Sequence, residues 1–237
     1  MYRRLDFYHL PAEFVNFAPE AVDRGYAICY RHLVMRLRYD RFGRRVATWV
    51  LAGWLLAWPA PSAAIEVTPT PEHVRAALER GQAAAKARKP PTELYAWFGG
   101  TDEWKPRGFL MTKLSGLTVM AAHFALRSEQ PTAADIRQIL DETTMLVSAT
   151  IYGDRPAFAR DSYLVMTQGA RTIKPLTVRF DGQAQRTSAW PGSPAYQAKV
   201  VASFAYTEFD PRTRTRISVF PPVGGEVAFD VDFARLE

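Results

Sequence analysis

The chain has 237 residues, 48% of them hydrophobic, with 30 Lys and Arg against 24 Asp and Glu and a single cysteine. That length and composition describe a globular protein rather than a disordered or disulfide-scaffolded one. The net charge of +6 suggests a nucleic-acid partner until it is divided: residues 1–64 hold nine arginines and five acids, leaving only a +2 surplus in 65–237, too little for a concentrated cationic face.

The division at residue 64 comes from the stretch Val46 to Ala64. Arg36, Arg38, Arg41, Arg44 and Arg45 precede a mostly apolar run, Val46 to Trp58, which ends in a Pro-broken tail and the small residues Ser62-Ala63-Ala64. This is the layout of a secretory signal peptide, with cleavage between Ala64 and Ile65. The run falls short of the roughly 20 residues that a membrane-spanning helix needs, so contact with a membrane is expected only if the leader is kept as an anchor. Started at Met35, the leader has 30 residues, the upper end of the usual length, and residues 1–34 then read as an upstream or unstructured extension. The Arg44-Arg45 pair also admits twin-arginine export. Cys29 lies before the leader, so residues 65–237 have no disulfide, no thiolate nucleophile and no thiolate metal ligand.

After the leader, residues 68–89 read as a helix. Thr70 is placed to cap it, Pro71 suits its first position, and Lys86, Arg88 and Lys89 favour its negative end. Pro90-Pro91 closes a segment of helix and Pro-rich linker, residues 65–91, and residues 92–237 form the expected folded domain. Leu94 to Phe98, closed by Gly99-Gly100, reads as a strand, and Thr101 to Gly108 as a polar loop. From Phe109 to Leu126 the chain is almost wholly apolar. Strands on either side of Ser115-Gly116 fit best there, although Leu117, Met120, Ala121 and Phe124 also suit a helix.

Thr132-Ala133-Ala134-Asp135 has the form of a capping box and predicts a short helix over about 133–142. Met145 to Tyr152 and Ser162 to Gln168 return to strand, separated by a turn at Gly153 to Pro156. Leu176 to Phe180 alternates, and Asp181-Gly182 after it is a hairpin signal. Ala198, Val200, Ala202, Phe204 and Tyr206 share one face of a further strand. Finally, Arg214 and Arg216 alternate with apolar residues as Asp230 and Asp232 do. A hairpin that pairs Arg216 with Asp230 and Arg214 with Asp232 also pairs Ile217 with Phe229 and Val219 with Val227. The charges then share the wet face, and these arginines are read as structural.

The expected fold is mainly β, an antiparallel immunoglobulin-like β-sandwich of about seven to nine strands with one N-terminal helix and one short inserted helix. No catalytic motif appears: His73 and His123 are far apart, and the chain lacks HExxH, GxSxG, SxxK and phosphate-cradling glycine patterns. No catalytic residue, cofactor or metal is therefore expected. The candidate binding residues are Trp97, Asp102, Glu103, Trp104 and Trp190, indoles for stacking and carboxylates for hydrogen bonding. The leading expectation is an exported, non-catalytic module that binds a protein or a cell-envelope component, with no nucleic acid involved. A small-molecule or glycan-binding module using the tryptophans is the alternative, and a carboxylate-dependent hydrolase is the third.

Overall fold

The computed structural model describes residues 65–236, so the expected leader, its arginines and Cys29 lie outside the described residues. The described chain is mainly β, with antiparallel sheets and three α-helices. The first sheet contains β1 (Ala96–Gly99), β2 (Arg107–Met111), β3 (Thr144–Gly153), β6 (Thr177–Phe180), β7 (Gln185–Arg186) and β8 (Tyr196–Ala205), in the order β1-β2-β3-β8-β6 with β7 also paired to β8. The second has the order β10-β9-β4-β5, built from β4 (Tyr163–Gln168), β5 (Arg171–Ile173), β9 (Arg214–Phe220) and β10 (Val227–Asp232).

Period-two patterning generates the core. In β3, Met145, Val147, Ala149 and Ile151 are buried, and in β8 so are Ala198, Val200, Ala202 and Phe204. The register places Val147 opposite Ala202 and Ile151 opposite Ala198, a large residue beside a small one each time. Leu164, Met166, Ile217, Val219 and Phe229 of the second sheet belong to the same contiguous buried cluster. Full burial of side chains such as Leu164 or Ile217 stabilises by about 2 kcal/mol each.

The final hairpin has the expected register: Asp230 opposes Arg216, Asp232 opposes Arg214, Phe229 opposes Ile217 and Val227 opposes Val219. The charge pattern is richer than simple cross-strand pairing. Arg216 reaches Asp230 at 3.5 Å and also Glu226 at 3.3 Å, while Ser218 Oγ donates to the same Glu226 carboxylate at 2.6 Å.

Two expectations are corrected. The run after Phe109 is not a pair of strands about Ser115-Gly116: β2 ends at Met111, and α2 (Lys113–Leu126) follows. Thr112 starts that helix, since its side chain accepts from the Ser115 amide at 3.2 Å and the Ser115 hydroxyl accepts from the Thr112 amide at 2.8 Å. There are thus three helices instead of two, α1 (Pro71–Lys86), α2 and α3 (Ala133–Leu140), the last capped by Thr132 and Asp135 as predicted. Secondly, Asp181-Gly182 does not turn a hairpin. β6 and β7 are both partners of β8, because Asp181 keeps hold of Lys199 through two bonds, its amide donating to the Lys199 carbonyl at 3.0 Å and its carboxylate accepting from the Lys199 amide at 2.8 Å. The residues after Asp181 bulge away, and the chain returns to the same strand.

α1 and α2 pack through small residues, with Ala77, Gly81 and Ala84 buried on α1 and Thr118, Ala121 and Ala122 buried on α2. A Cβ at Gly81 would overlap the Thr118 carbonyl and come within 2.8 Å of Ala121 Cβ and 3.0 Å of the Ala122 amide nitrogen. Gly81→Ala therefore lowers stability although alanine is the better helix former, and Gly81→Leu costs about 1 to 3 kcal/mol, read as the shift in urea midpoint at unchanged slope. An unchanged or higher midpoint for Gly81→Ala would refute the close crossing.

Acid titration tests the final hairpin. Hydrogen bonds from Ser218 and then Arg216 hold the Glu226 carboxyl below its ordinary value. A carboxylate depressed in the folded state stabilises above the ordinary carboxylate range, and that contribution is lost as pH falls through the lowered value. Thermal melts should show Glu226→Gln below wild type at pH 7, with the gap closing on acidification. A gap constant with pH would contradict this account.

Candidate functional site

The predicted binding residues lie on or next to the turns at one end of the first sheet. Gly99, at φ +91°, starts the loop between β1 and β2, which closes with the Gly100 amide donating to the Pro106 carbonyl at 2.9 Å. That left-handed angle suits glycine, and a Cβ there would meet Arg107 Cα and the Phe229 ring, each at 2.9 Å. β3 ends and β8 begins at the same end, with Tyr152 opposite Gln197, and β7 pairs there with Gln197 and Tyr196.

Two predicted residues are bound into one relay. Trp104 Nε1 donates to Ser188 Oγ at 3.2 Å, and Ser188 Oγ donates to Glu103 Oε1 at 2.7 Å. An indole, a hydroxyl and a carboxylate thus fasten the β1–β2 loop to the segment after β7, across 84 positions of sequence. Trp190 lies two residues beyond Ser188, on a segment folded by bonds from the Trp190 amide to the Thr187 carbonyl and from the Gly192 amide to the Ala189 carbonyl. Asp102 does not join the relay. It forms an ion pair with Lys105, whose hydrogen bond holds the Asp102 carboxyl below its usual range.

Trp97 sits in an aromatic group on β1 and β2. Its indole donates to the Thr92 carbonyl at 2.8 Å, and its ring meets Phe109 edge-on at 5.3 Å, while Tyr95 stacks on Phe109 at 4.4 Å. The Arg107 guanidinium lies 5.3 Å from the Trp97 ring centre, and that of Arg186 lies 4.1 Å from the Trp190 ring centre. Trp97, Trp104 and Trp190 remain 41%, 39% and 43% exposed. Burial raises the Tyr152 phenol, and Arg107 and Glu103 pull it in opposite directions, so both charges stand within electrostatic reach of that hydroxyl.

Arg107, Arg186, Ser188 and Tyr152 are the members that sequence reasoning missed. Arg107 had a usable signal: once β1 pairs with β2, Trp97 faces Phe109, and Arg107 lies diagonally on the same face. Ser188 had none.

A cavity of about 350 Å³ lies between the β1–β2 loop and β10, lined by Gly99, Gly100, Lys105, Pro106 and Val227 to Asp230. Its only carboxylate is Asp230, 83% exposed and paired with Arg216, so this crevice lacks the two facing carboxylates of a glycoside hydrolase. Phe229 is its only aromatic residue. Among the described residues no group of three His, Cys, Asp or Glu is placed to hold a metal ion. The Tyr206 phenol is buried, and desolvation raises it above its ordinary value.

What these observations define is a mainly β, antiparallel domain with an exposed Trp and Arg rim at one end of a sheet. No protein-family model matches the chain, and no curated protein does.

Ser188→Ala removes the acceptor of the Trp104 indole and a donor to Glu103 together. Amide hydrogen exchange should accelerate at Gly100 and Lys105, the loop amides that donate to Pro106 and Asp102, while Val147 in β3 stays protected. Unchanged protection of the loop would show that the relay does not hold it.

Proposed function

We propose that the chain is an exported, non-catalytic module that binds a protein of the cell envelope through the rim formed by Trp97, Arg107, Glu103, Trp104, Arg186 and Trp190. Its architecture is read as an immunoglobulin-like sandwich, a reading supported by two antiparallel sheets that contribute to one buried cluster. Export is supported by the leader pattern of Val46 to Ala64.

The observation that carries the binding reading is the stacking of Arg107 on Trp97 and of Arg186 on Trp190, with both indoles two-fifths exposed. Tryptophan and arginine dominate the energetics of protein interfaces, because each offers a large flat contact area together with hydrogen-bond donors. The Trp104–Ser188–Glu103 relay supports the same reading, since a loop fastened before binding has less ordering entropy to lose on contact. A shallow crevice with one aromatic ring suits a small ligand less well than a flat partner suits this rim.

The test places a photo-crosslinking amino acid in the full chain at Thr101 or Gln185, exposed positions beside the rim, or at Leu176, an exposed control at the far end of β8. Irradiation in the native envelope should give one and the same protein adduct from 101 and 185 and none from 176. Arg107→Ala together with Arg186→Ala should reduce that adduct about tenfold, the loss expected for about 1.4 kcal/mol of contact. Equal labelling from 176, or adducts containing only glycan or lipid, would overturn the proposal. N-terminal sequencing of the same material should begin at Ile65, and a chain still beginning at Met1 would defeat the export reading.

A further inference from the structure

Ile65 is the residue that follows the expected cleavage point, and it is not at the surface. It is 4% exposed and belongs to the same buried cluster as Phe204, Phe209 and Phe233. Its amide is directed to the Pro211 carbonyl at 3.4 Å, on the segment that leads into β9, and Val67 packs against the cluster two residues later. The folded domain therefore occupies both the side chain and the amide of this residue.

A signal peptidase needs the opposite arrangement. It takes the residues on either side of the scissile bond in an extended conformation, with the small side chains before the cut and the first residue after it free to enter the protease cleft. We infer that the leader is removed while the domain is still unfolded, and that the domain closes over Ile65 only afterwards. This rests on the export reading. It selects a route that threads an unfolded chain and disfavours the twin-arginine route, which carries folded domains and which the Arg44-Arg45 pair would otherwise admit.

Hydrolysis also changes the hydrogen-bond donor at this position. Hydrolysis adds one water across the Ala64–Ile65 peptide bond, leaving a carboxylate on Ala64 and an α-ammonium on Ile65. The amide N–H aimed at Pro211 becomes one of three N–H donors on a charged nitrogen, and hydrogen bonds from charged donors are the stronger kind.

The experiment uses the full chain made in a cell-free system, with purified signal peptidase either present from the start or added after folding is complete. The product beginning at Ile65 should form in the first arm and form at least about 30-fold more slowly in the second, because the late enzyme must wait for a fully buried isoleucine to leave the core. Phe204→Asp, which places a charge in the core and blocks folding, should bring the late arm to the early rate. Equal rates for the wild-type chain in both arms would overturn the inference while leaving export standing. Absence of any cut before Ile65 in both arms would sink the export reading, and the inference with it.

Discussion

The pairing of β3 with β8 is the constraint on which the rest of the structure depends. Ten residues of each strand face one another, from Thr144 opposite Ala205 to Gly153 opposite Tyr196. One face of this ribbon supplies Met145, Val147, Ile151, Val200 and Phe204 to the core. At one end the ribbon sets Tyr152 and Tyr196 where the β1–β2 loop and β7 meet it, so the rim is positioned by the most extensively paired part of the sheet. Binding residues are commonly carried on loops that a rigid scaffold of this kind positions.

How far the sequence disclosed this structure depended on how many independent constraints met at each element. The β9–β10 register was legible because two charge pairs and two apolar pairs demanded the same alignment, and a slip of one residue would have reversed every side chain. α1 was legible from Thr70-Pro71, and α3 from Thr132 and Asp135. α2 was obscure for two reasons. Its N3 residue is Ser115, in place of the usual acidic partner in a capping box, and its apolar residues surround the helix, so no 3.6-residue stripe stands out. The Asp181-Gly182 signal misled because the bond that the Lys199 amide donates to the Asp181 carboxylate outweighed local turn preference.

The candidate site was legible in its residues and not in its connections. Indole and carboxylate side chains could be picked out along the chain, but the Ser188 hydroxyl that joins Glu103 to Trp104 is an unremarkable residue of a distant loop. Arg216 makes the converse point. Its cross-strand partner Asp230 followed from the register, whereas Glu226, the carboxylate that shares it, lies just beyond the last paired residue: alternation puts it on the same face, but the register alone does not assign it to Arg216.

The interrupted margin formed by β6 and β7 has a consequence of its own. β8 is flanked on this side by a four-residue strand and a two-residue strand with a bulge between them, so the sheet presents no long run of free backbone groups there. Continuous open margins invite neighbouring chains to add on as further strands, the first step toward fibrous deposits. A domain whose described residues contain no disulfide to limit partial unfolding gains a built-in brake on self-assembly from that break.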